Sequence, residues 1–124
     1  MTPAEREILR IEKQQVADFN HREVKNLLEQ FAPEFVGFSS TRHNRIAGRA
    51  ALGKTFQHYL RESPRLRYRI AQPRLQVFDS TAVATFYWTV ELSPKRRIEG
   101  RGTHVLVKRR GRWQIVHEHF SRSH

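Results

Sequence analysis

Residues 102–121 read GTHVLVKRRGRWQIVHEHFS. On both sides of Gly111 the apolar residues recur with the two-residue period of a β-strand. This pattern predicts two antiparallel strands, at residues 97–109 and 112–121. Their middles are apolar at even positions (Leu106, Val116, Phe120) and at odd positions (Val105, Val107, Trp113, Ile115). An antiparallel sheet usually buries only one face, so a sheet with two apolar faces needs two coverings.

The strands upstream of this hairpin extend the same sheet. Residues 66–78 are apolar at even positions up to Ile70 and at odd positions from Leu75 onward. The parity changes around Pro73, where we expect a bulge or kink that bends the sheet. A turn at Asp79–Ser80 leads into the next strand, at residues 81–92.

The first half of the chain is mainly helical. Helical spacing of apolar residues predicts helices at 4–18, 21–31 and 48–62, with a short strand at 35–39. Asn20 is the expected N-cap of the second helix, and Pro33 is expected to end it. Three helices can cover one face of the sheet. A second copy of the chain is the simplest cover for the other, so we predict a homodimer formed through the outer sheet face.

Composition narrows the function classes. The chain has 23 Lys+Arg against 12 Asp+Glu, but the basic residues are scattered over predicted turns and strand edges. This scatter disfavours a nucleic-acid binder. The sequence also lacks the combination of aromatic and basic residues with which proteins bind single-stranded nucleic acid. The chain has no cysteine, no apolar run of about 18 residues and no secretory signal at its start. We predict a cytoplasmic protein that does not enter a membrane.

The predicted order of elements resembles the nuclear transport factor 2-like superfamily. Residues 102–121 are similar to its SnoaL-like branch and to the association domain of calcium/calmodulin-dependent kinase II, which end in a Thr-x-Val strand, a Gly-x-Trp turn and a His-x-His-x-Ser strand. Residues 20–23, 46–48 and 78–82 fall where that family has a helix junction, a glycine before the third helix and a tight hairpin. The resemblance implies an α+β fold, with a cone-shaped, curved, antiparallel or mixed sheet wrapped by three N-terminal helices, in one domain over residues 1–124.

The resemblance also implies a pocket between the concave sheet face and the helices. Leu52, Phe56 and Trp88 match positions that face this pocket in the kinase association domain. That domain lines its cavity with arginines, whereas the corresponding positions here are Trp88, His104 and Phe120, which argues against a carboxylate-binding cavity of that type. Phe120 is a further candidate ligand contact.

His104 and Glu118 are the candidate catalytic residues. A three-residue turn with Gly111 in the left-handed region would pair even positions with even ones. His104, Glu118 and Phe120 would then share a face, and Gly100 and Gly102 would lie opposite Glu118 and Phe120. A carboxyl in an apolar pocket and a neighbouring imidazole can exchange protons with a substrate near neutral pH. The alternative is that Glu118 only pairs with an arginine such as Arg101 at the sheet edge.

Other polar residues carry less specific signals. Tyr59 and Tyr68 are candidate hydrogen-bonding residues for a substrate carbonyl, although a buried tyrosine with a satisfied hydroxyl is the common case. His117 and His119 point the same way from one strand, but no third metal ligand is evident, so we predict neither a metal nor a cofactor. Trp113 is expected in the core or at an interface.

Besides the less favoured nucleic-acid binder, two functions stay open from the sequence. One is a pocket protein that binds a small, largely apolar molecule and acts on it as a lyase, isomerase or cyclase. The other is a ligand-binding or oligomerisation module without catalysis. Whether the protein is an enzyme is not decided at this stage, because the resembled superfamily includes both kinds.

Overall fold

Three helices and six strands make up the computed structural model, which describes residues 1–123. The helices are α1 (Pro3–Asn20), α2 (Val24–Glu29) and α3 (Arg49–Glu62). The strands are β1 (Phe31–Phe38), β2 (Ile46–Ala47), β3 (Arg67–Phe78), β4 (Thr81–Ser93), β5 (Arg96–Arg109) and β6 (Arg112–Arg122). They form one sheet in the order β2-β1-β6-β5-β4-β3, in which only β1 and β6 pair in parallel. The predicted α+β class, with helices on a mixed sheet, is confirmed.

Helix α1 is fixed at both ends. Thr2 and Glu5 form a capping box at its start, with Pro3 in the first turn. At its end the Asn20 amide donates to the Tyr68 carbonyl at 2.7 Å and accepts from the Tyr68 amide at 2.8 Å. The predicted N-cap role of Asn20 is wrong, because α1 continues through Asn20 and its side chain instead pairs with the backbone of β3.

The segment after α1 differs from the predicted long second helix. Arg22 has a φ of 62°, which interrupts the helical path, and α2 begins only at Val24. It ends at Glu29, and β1 starts at Phe31, so Pro33 lies inside a strand and does not terminate a helix. The β1–β6 pairing is irregular between Phe31 and Val36. Proline is tolerated there because a disrupted ladder does not require its missing N–H.

The predicted bend in β3 is present. Gln72 has a φ of 53°, and the β3–β4 register shifts between Ala71 and Arg74. The extra residue moves the apolar positions from even to odd numbers. Both halves of β3 therefore turn apolar side chains, Ile70 and Leu75 among them, toward the core.

The β5–β6 hairpin reaches its register by a different route from the predicted one. Its turn has two residues, Arg110 and Gly111, with φ values of 54° and 74°, as a type I′ turn requires. A bulge at Val116 then adds the residue that the shorter turn omits, since Leu106 pairs with Ile115 while Val105 pairs with His117. Beyond the bulge, even positions pair with even ones.

The bulge overturns one part of the sequence-based reasoning. It places Trp113 and Ile115 on the same side of the sheet as the buried Leu106, under the helices, with 4% and 0% of their surfaces exposed. They belong to the core and not to a second apolar face. The outer face instead carries half-buried valines and Tyr87, which is 55% exposed.

One property of the helices bears on the membrane prediction. Within residues 1–123, no helix combines the length and the apolar composition that crossing a bilayer demands. The longest helix, α1, carries charged residues along most of its length.

Candidate functional site

The concave face of the sheet and the helices α1 and α3 enclose a pocket of about 290 Å³. Strands β4 and β6 each contribute alternate residues to its wall, as expected for side chains that share one face of a strand. Most of the wall surface is apolar, and its aromatic and aliphatic contributors include Phe19, Phe56, Leu66, Trp88, Val90, Leu92, Ile98 and Phe120. Three buried polar side chains lie in the same lining: Gln15, Tyr68 and Glu118.

His104 lies between two carboxylates. Its Nδ1 is 2.8 Å from both carboxylate oxygens of Glu12, and its Nε2 is 2.8 Å from Oε1 of Glu118. Glu12 comes from α1, 92 residues away in sequence, while His104 and Glu118 are directly paired across β5 and β6. His104 and Glu12 are completely buried, and Glu118 keeps 10% of its side chain exposed, toward the pocket.

The electrostatics of this trio favour an imidazolium. Burial lowers the pKa of His104. The negative charges of Glu12 and Glu118 and their hydrogen bonds to the ring outweigh that effect and raise the pKa to about 10. Both ring nitrogens therefore donate at neutral pH, one to each carboxylate. The rings of Phe86 and Phe120 pack against the imidazole, with centroids 5.1 and 5.9 Å from its own and interplanar angles of 63° and 37°.

Tyr68 offers a hydrogen-bond donor beside Glu118. Burial raises the pKa of Tyr68 well above its usual value, so the hydroxyl stays protonated. It accepts a long hydrogen bond of 3.5 Å from the Gln15 amide. Within residues 1–123 the hydroxyl proton of Tyr68 is donated to no protein acceptor, so it can serve an oxygen of a bound molecule.

Trp88 and Phe120 form a rigid apolar wall. Their rings stack at 5.7 Å with an interplanar angle of 19°, and Trp88 Nε1 donates to the Arg101 carbonyl at 3.0 Å. Aromatic rings occupy the space that was predicted at Gly100 and Gly102. A Cβ on Gly100 would lie 2.6 Å from Trp88, and one on Gly102 would lie 2.6 Å from Phe86.

The register corrects one predicted pairing. Gly102 lies opposite Phe120, but Gly100 lies opposite Arg122, and the residue opposite Glu118 is His104. The direct His104–Glu118 pair is a closer arrangement than the shared face expected from the sequence. The alternative partner for Glu118, Arg101, is not the one the structure provides, because the ion pair is made to His104.

The remaining candidates on α3 divide between the pocket and the core. Phe56 lines the pocket. Tyr59 lies at the mouth, where its hydroxyl donates to Ser39 Oγ at 2.9 Å and lies 2.7 Å from Thr41 Oγ1. Leu52 is 1% exposed and packs in the core, and it does not line the pocket.

His117 and His119, two residues apart on β6, do not line this pocket. Nδ1 of His117 is 2.8 Å from the Val36 carbonyl of β1, and the ring of His119 packs against Phe38. In the part of the chain that the structure describes, no group of three or more His, Cys, Asp or Glu side chains is arranged to hold a metal ion.

Glu12 is the site residue that sequence reasoning missed. It lies on the buried stripe of α1 with Ile8, Ile11, Gln15 and Phe19. A carboxylate on an otherwise apolar stripe was the available signal, because buried acidic residues need a partner. The partner could not be identified, since it lies on a strand far along the chain.

Comparisons with known proteins agree with this fold. A family model described as "SnoaL-like domain" matches residues 8–123. A nuclear transport factor 2-like protein of unknown function from Pseudomonas putida KT2440 superposes with a TM-score of 0.90 at 19% identity, covering 98% of this chain and 87% of that one. A putative calcium/calmodulin dependent protein kinase II association domain from Xanthomonas campestris gives 0.83 at 22% identity, over 99% and 92%. A protein from Catenulispora acidiphila in complex with S-DNPA gives 0.79 at 18% identity, over 96% and 92%. No curated protein matches the chain.

Proposed function

The chain belongs to the SnoaL-like domain family, and on that premise we propose that its pocket binds a small, largely apolar molecule and moves a proton on it. A pocket with apolar walls and a few converging polar groups is typical of small-molecule sites. The observation that carries the catalytic part is the buried Glu12–His104–Glu118 network, which ends at the pocket on Glu118.

Glu118 is the proposed base. His104 donates to its Oε1, while Oε2 has no protein partner among residues 1–123 and is left for the ligand. The Tyr68 hydroxyl keeps its proton and donates a hydrogen bond to a ligand carbonyl oxygen, which acidifies the C–H bond next to the carbonyl. Glu118 takes the proton of that C–H bond, and the electron pair of the broken bond moves toward the carbonyl oxygen, so that an enolate forms and the Tyr68 hydrogen bond stabilises it.

The same first step serves three reaction classes. Return of the proton to another carbon is an isomerisation, attack of the enolate carbon on a second carbonyl closes a ring, and expulsion of a β-substituent is a lyase reaction. In each, Glu12 holds the His104 ring in place and balances its positive charge, so Glu118 stays oriented throughout. We assign Glu12 and His104 to positioning and Glu118 to proton transfer.

Deuterium exchange on a bound ketone tests this step without knowledge of the natural substrate. We expect the protein to accelerate the exchange of α-protons of 2-tetralone in D2O, measured by mass spectrometry. Glu118→Gln should reduce the accelerated rate by a factor of about 10²–10⁴, the usual contribution of a general base. Tyr68→Phe should reduce it by a factor of about 10²–10³, as loss of an oxyanion donor does.

Glu23→Gln is the matched control, because Glu23 is exposed, does not line the pocket and makes no ion pair among residues 1–123. Its exchange rate should equal that of the wild-type protein. An unchanged rate in folded Glu118→Gln would remove Glu118 from the proposed role.

A ligand-binding module without catalysis is the second candidate. It is favoured because the protein itself satisfies the buried polar groups: among the described residues no buried side-chain nitrogen or oxygen lacks a hydrogen-bond partner. This candidate predicts that 2-tetralone binds, as followed by quenching of Trp88 fluorescence, while its exchange rate stays at the buffer value.

We further propose that a second copy of the chain covers the outer sheet face. Val83, Val105 and Val107 are half-buried there and form an apolar patch on β4 and β5 beside the exposed Tyr87. Val105→Glu should convert a dimer to a monomer in sedimentation equilibrium, whereas Ala50→Glu on the exposed side of α3 should not. A monomeric wild-type protein at micromolar concentration would contradict this proposal.

Two further predictions from the sequence carry over. One domain over residues 1–124 is supported by the family match to residues 8–123, and His124 lies outside the described residues. The cytoplasmic location stays a prediction, which localisation of a fluorescent fusion in the native host can check.

A further inference from the structure

Three side chains of β6, one acidic, one aromatic and one basic, line the pocket in that order along the strand. Glu118, Phe120 and Arg122 are alternate residues of one strand, and all three line the pocket. At about 3.3 Å per residue, the Cα atoms of Glu118 and Arg122 are about 13 Å apart. A carboxylate at the deep end and a guanidinium at the mouth are thus separated by an aromatic ring.

A second guanidinium belongs to the lining of the same pocket. Arg96, at the start of β5, lines the pocket beside Ile98 and is exposed to solvent. Neither Arg96 nor Arg122 has an acidic partner within 4 Å among residues 1–123, whereas Arg10, Arg69 and Arg109 all do.

The rim of the pocket carries a net positive charge. The rim also carries Glu62, which offsets one of the two guanidinium charges, together with His58 and Tyr59. The wall between this rim and the deep polar groups is apolar, with Val90, Leu92 and Ile98 on the sheet side.

From this separation we propose that the pocket takes an aromatic carboxylate, whose ring system occupies the apolar section and whose carboxylate binds Arg96 and Arg122 at the mouth. The guanidinium group suits a carboxylate because it presents paired N–H donors in a plane. The buried polar side chains of the cavity lining are Gln15, Tyr68 and Glu118, none of which is a cation, so the anion is held at the rim. This inference rests on the proposed function, because it names the ligand class of the same pocket.

The volume limits the size of the acid. A cavity of about 290 Å³ lies at the lower end of the range of about 300–1,000 Å³ that is typical of small-molecule pockets. A bicyclic acid fits that space, whereas a long-chain lipid or an oligonucleotide does not. Naphthalene-2-carboxylate is therefore a suitable probe, and naphthalene-2-carboxamide is its uncharged match.

Calorimetric titration of both probes tests the proposal. The wild-type protein should bind the carboxylate about tenfold more tightly than the amide, and added NaCl should narrow the difference, since screening weakens exposed charge pairs. The double variant Arg96→Gln/Arg122→Gln should lose that tenfold preference and keep the amide affinity. Arg97→Gln is the matched control: it removes the same charge one residue from Arg96 but does not line the pocket.

The outcomes separate this inference from the proposed function. Equal affinity for the two probes, or an equal loss for both in the double variant, would overturn the anion site and leave the apolar pocket intact. Binding of neither probe would overturn small-molecule binding itself, and the anion site with it. Both arginines are exposed, so we expect the double variant to fold, which its circular dichroism spectrum and melting temperature will check.

Discussion

Raising the pH above neutrality should destabilise this protein through His104. The folded-state pKa of His104 is about 10, against 6.5 for the free side chain. The folded state therefore keeps a proton that the unfolded chain loses, so the stabilisation is fully present below pH 6.5 and disappears as the pH rises to about 10. One extra bound proton lowers the free energy of unfolding by about 1.4 kcal/mol per pH unit. From pH 7.5 to 9.0 the expected loss is about 2 kcal/mol.

Urea unfolding followed by tryptophan fluorescence measures this slope, because Trp88 and Trp113 are both buried in the folded state. Glu12→Gln should show a shallower slope, since it removes the negative charge next to Nδ1. Glu7→Gln, on the exposed side of the same helix, should keep the wild-type slope. A wild-type stability that is flat or increasing over this range would refute the reasoning, and so would a Glu12→Gln slope equal to that of the wild type.

Two further substitutions test the packing that builds the site. Gly102→Ala should cost about 1–3 kcal/mol of stability by overpacking, because the new Cβ would lie 2.6 Å from Phe86 and 3.0 Å from Phe120; an unchanged melting temperature would show that these rings can move aside. Asn20→Ala should lower the free energy of unfolding by about 1–3 kcal/mol, since it removes two hydrogen bonds to the Tyr68 backbone at about 0.5–1.5 kcal/mol each. Asn26→Ala, on the exposed surface of α2, should leave the stability in the same thermal melt almost unchanged.

The sheet was predictable because its signals are local. The alternation of apolar residues, the parity change around Pro73 and the turn at Asp79–Ser80 each lie within a few residues of the structure they specify. Helix α3 was predicted within one residue, from its apolar spacing and the glycine before it. Local patterns of this kind survive because the tertiary contacts agree with them.

The errors arose where a tertiary contact outweighed a local signal. Asn20 is a good N-cap residue, but its amide instead pairs with β3, 48 residues away. The hairpin turn was predicted one residue too long and the bulge at Val116 was missed. The two errors cancel at His104 and Glu118, where even positions pair with even ones as expected, but not at Trp113 and Ile115, which lie between the turn and the bulge.

We propose that the buried network serves proton transfer more than stability. Replacing a buried ion pair with well-packed apolar residues is often neutral or stabilising, by about 1–4 kcal/mol, so holding α1 on the sheet does not require charges. A network used only for that purpose would be sealed at both ends, because contact with water weakens electrostatic interactions. This one is sealed at Glu12 and His104 but opens at Glu118, on the pocket wall beside Tyr68. A fixed carboxylate with one oxygen available to a ligand is what proton transfer needs, and α1 supplies through Glu12 the charge that keeps it in place.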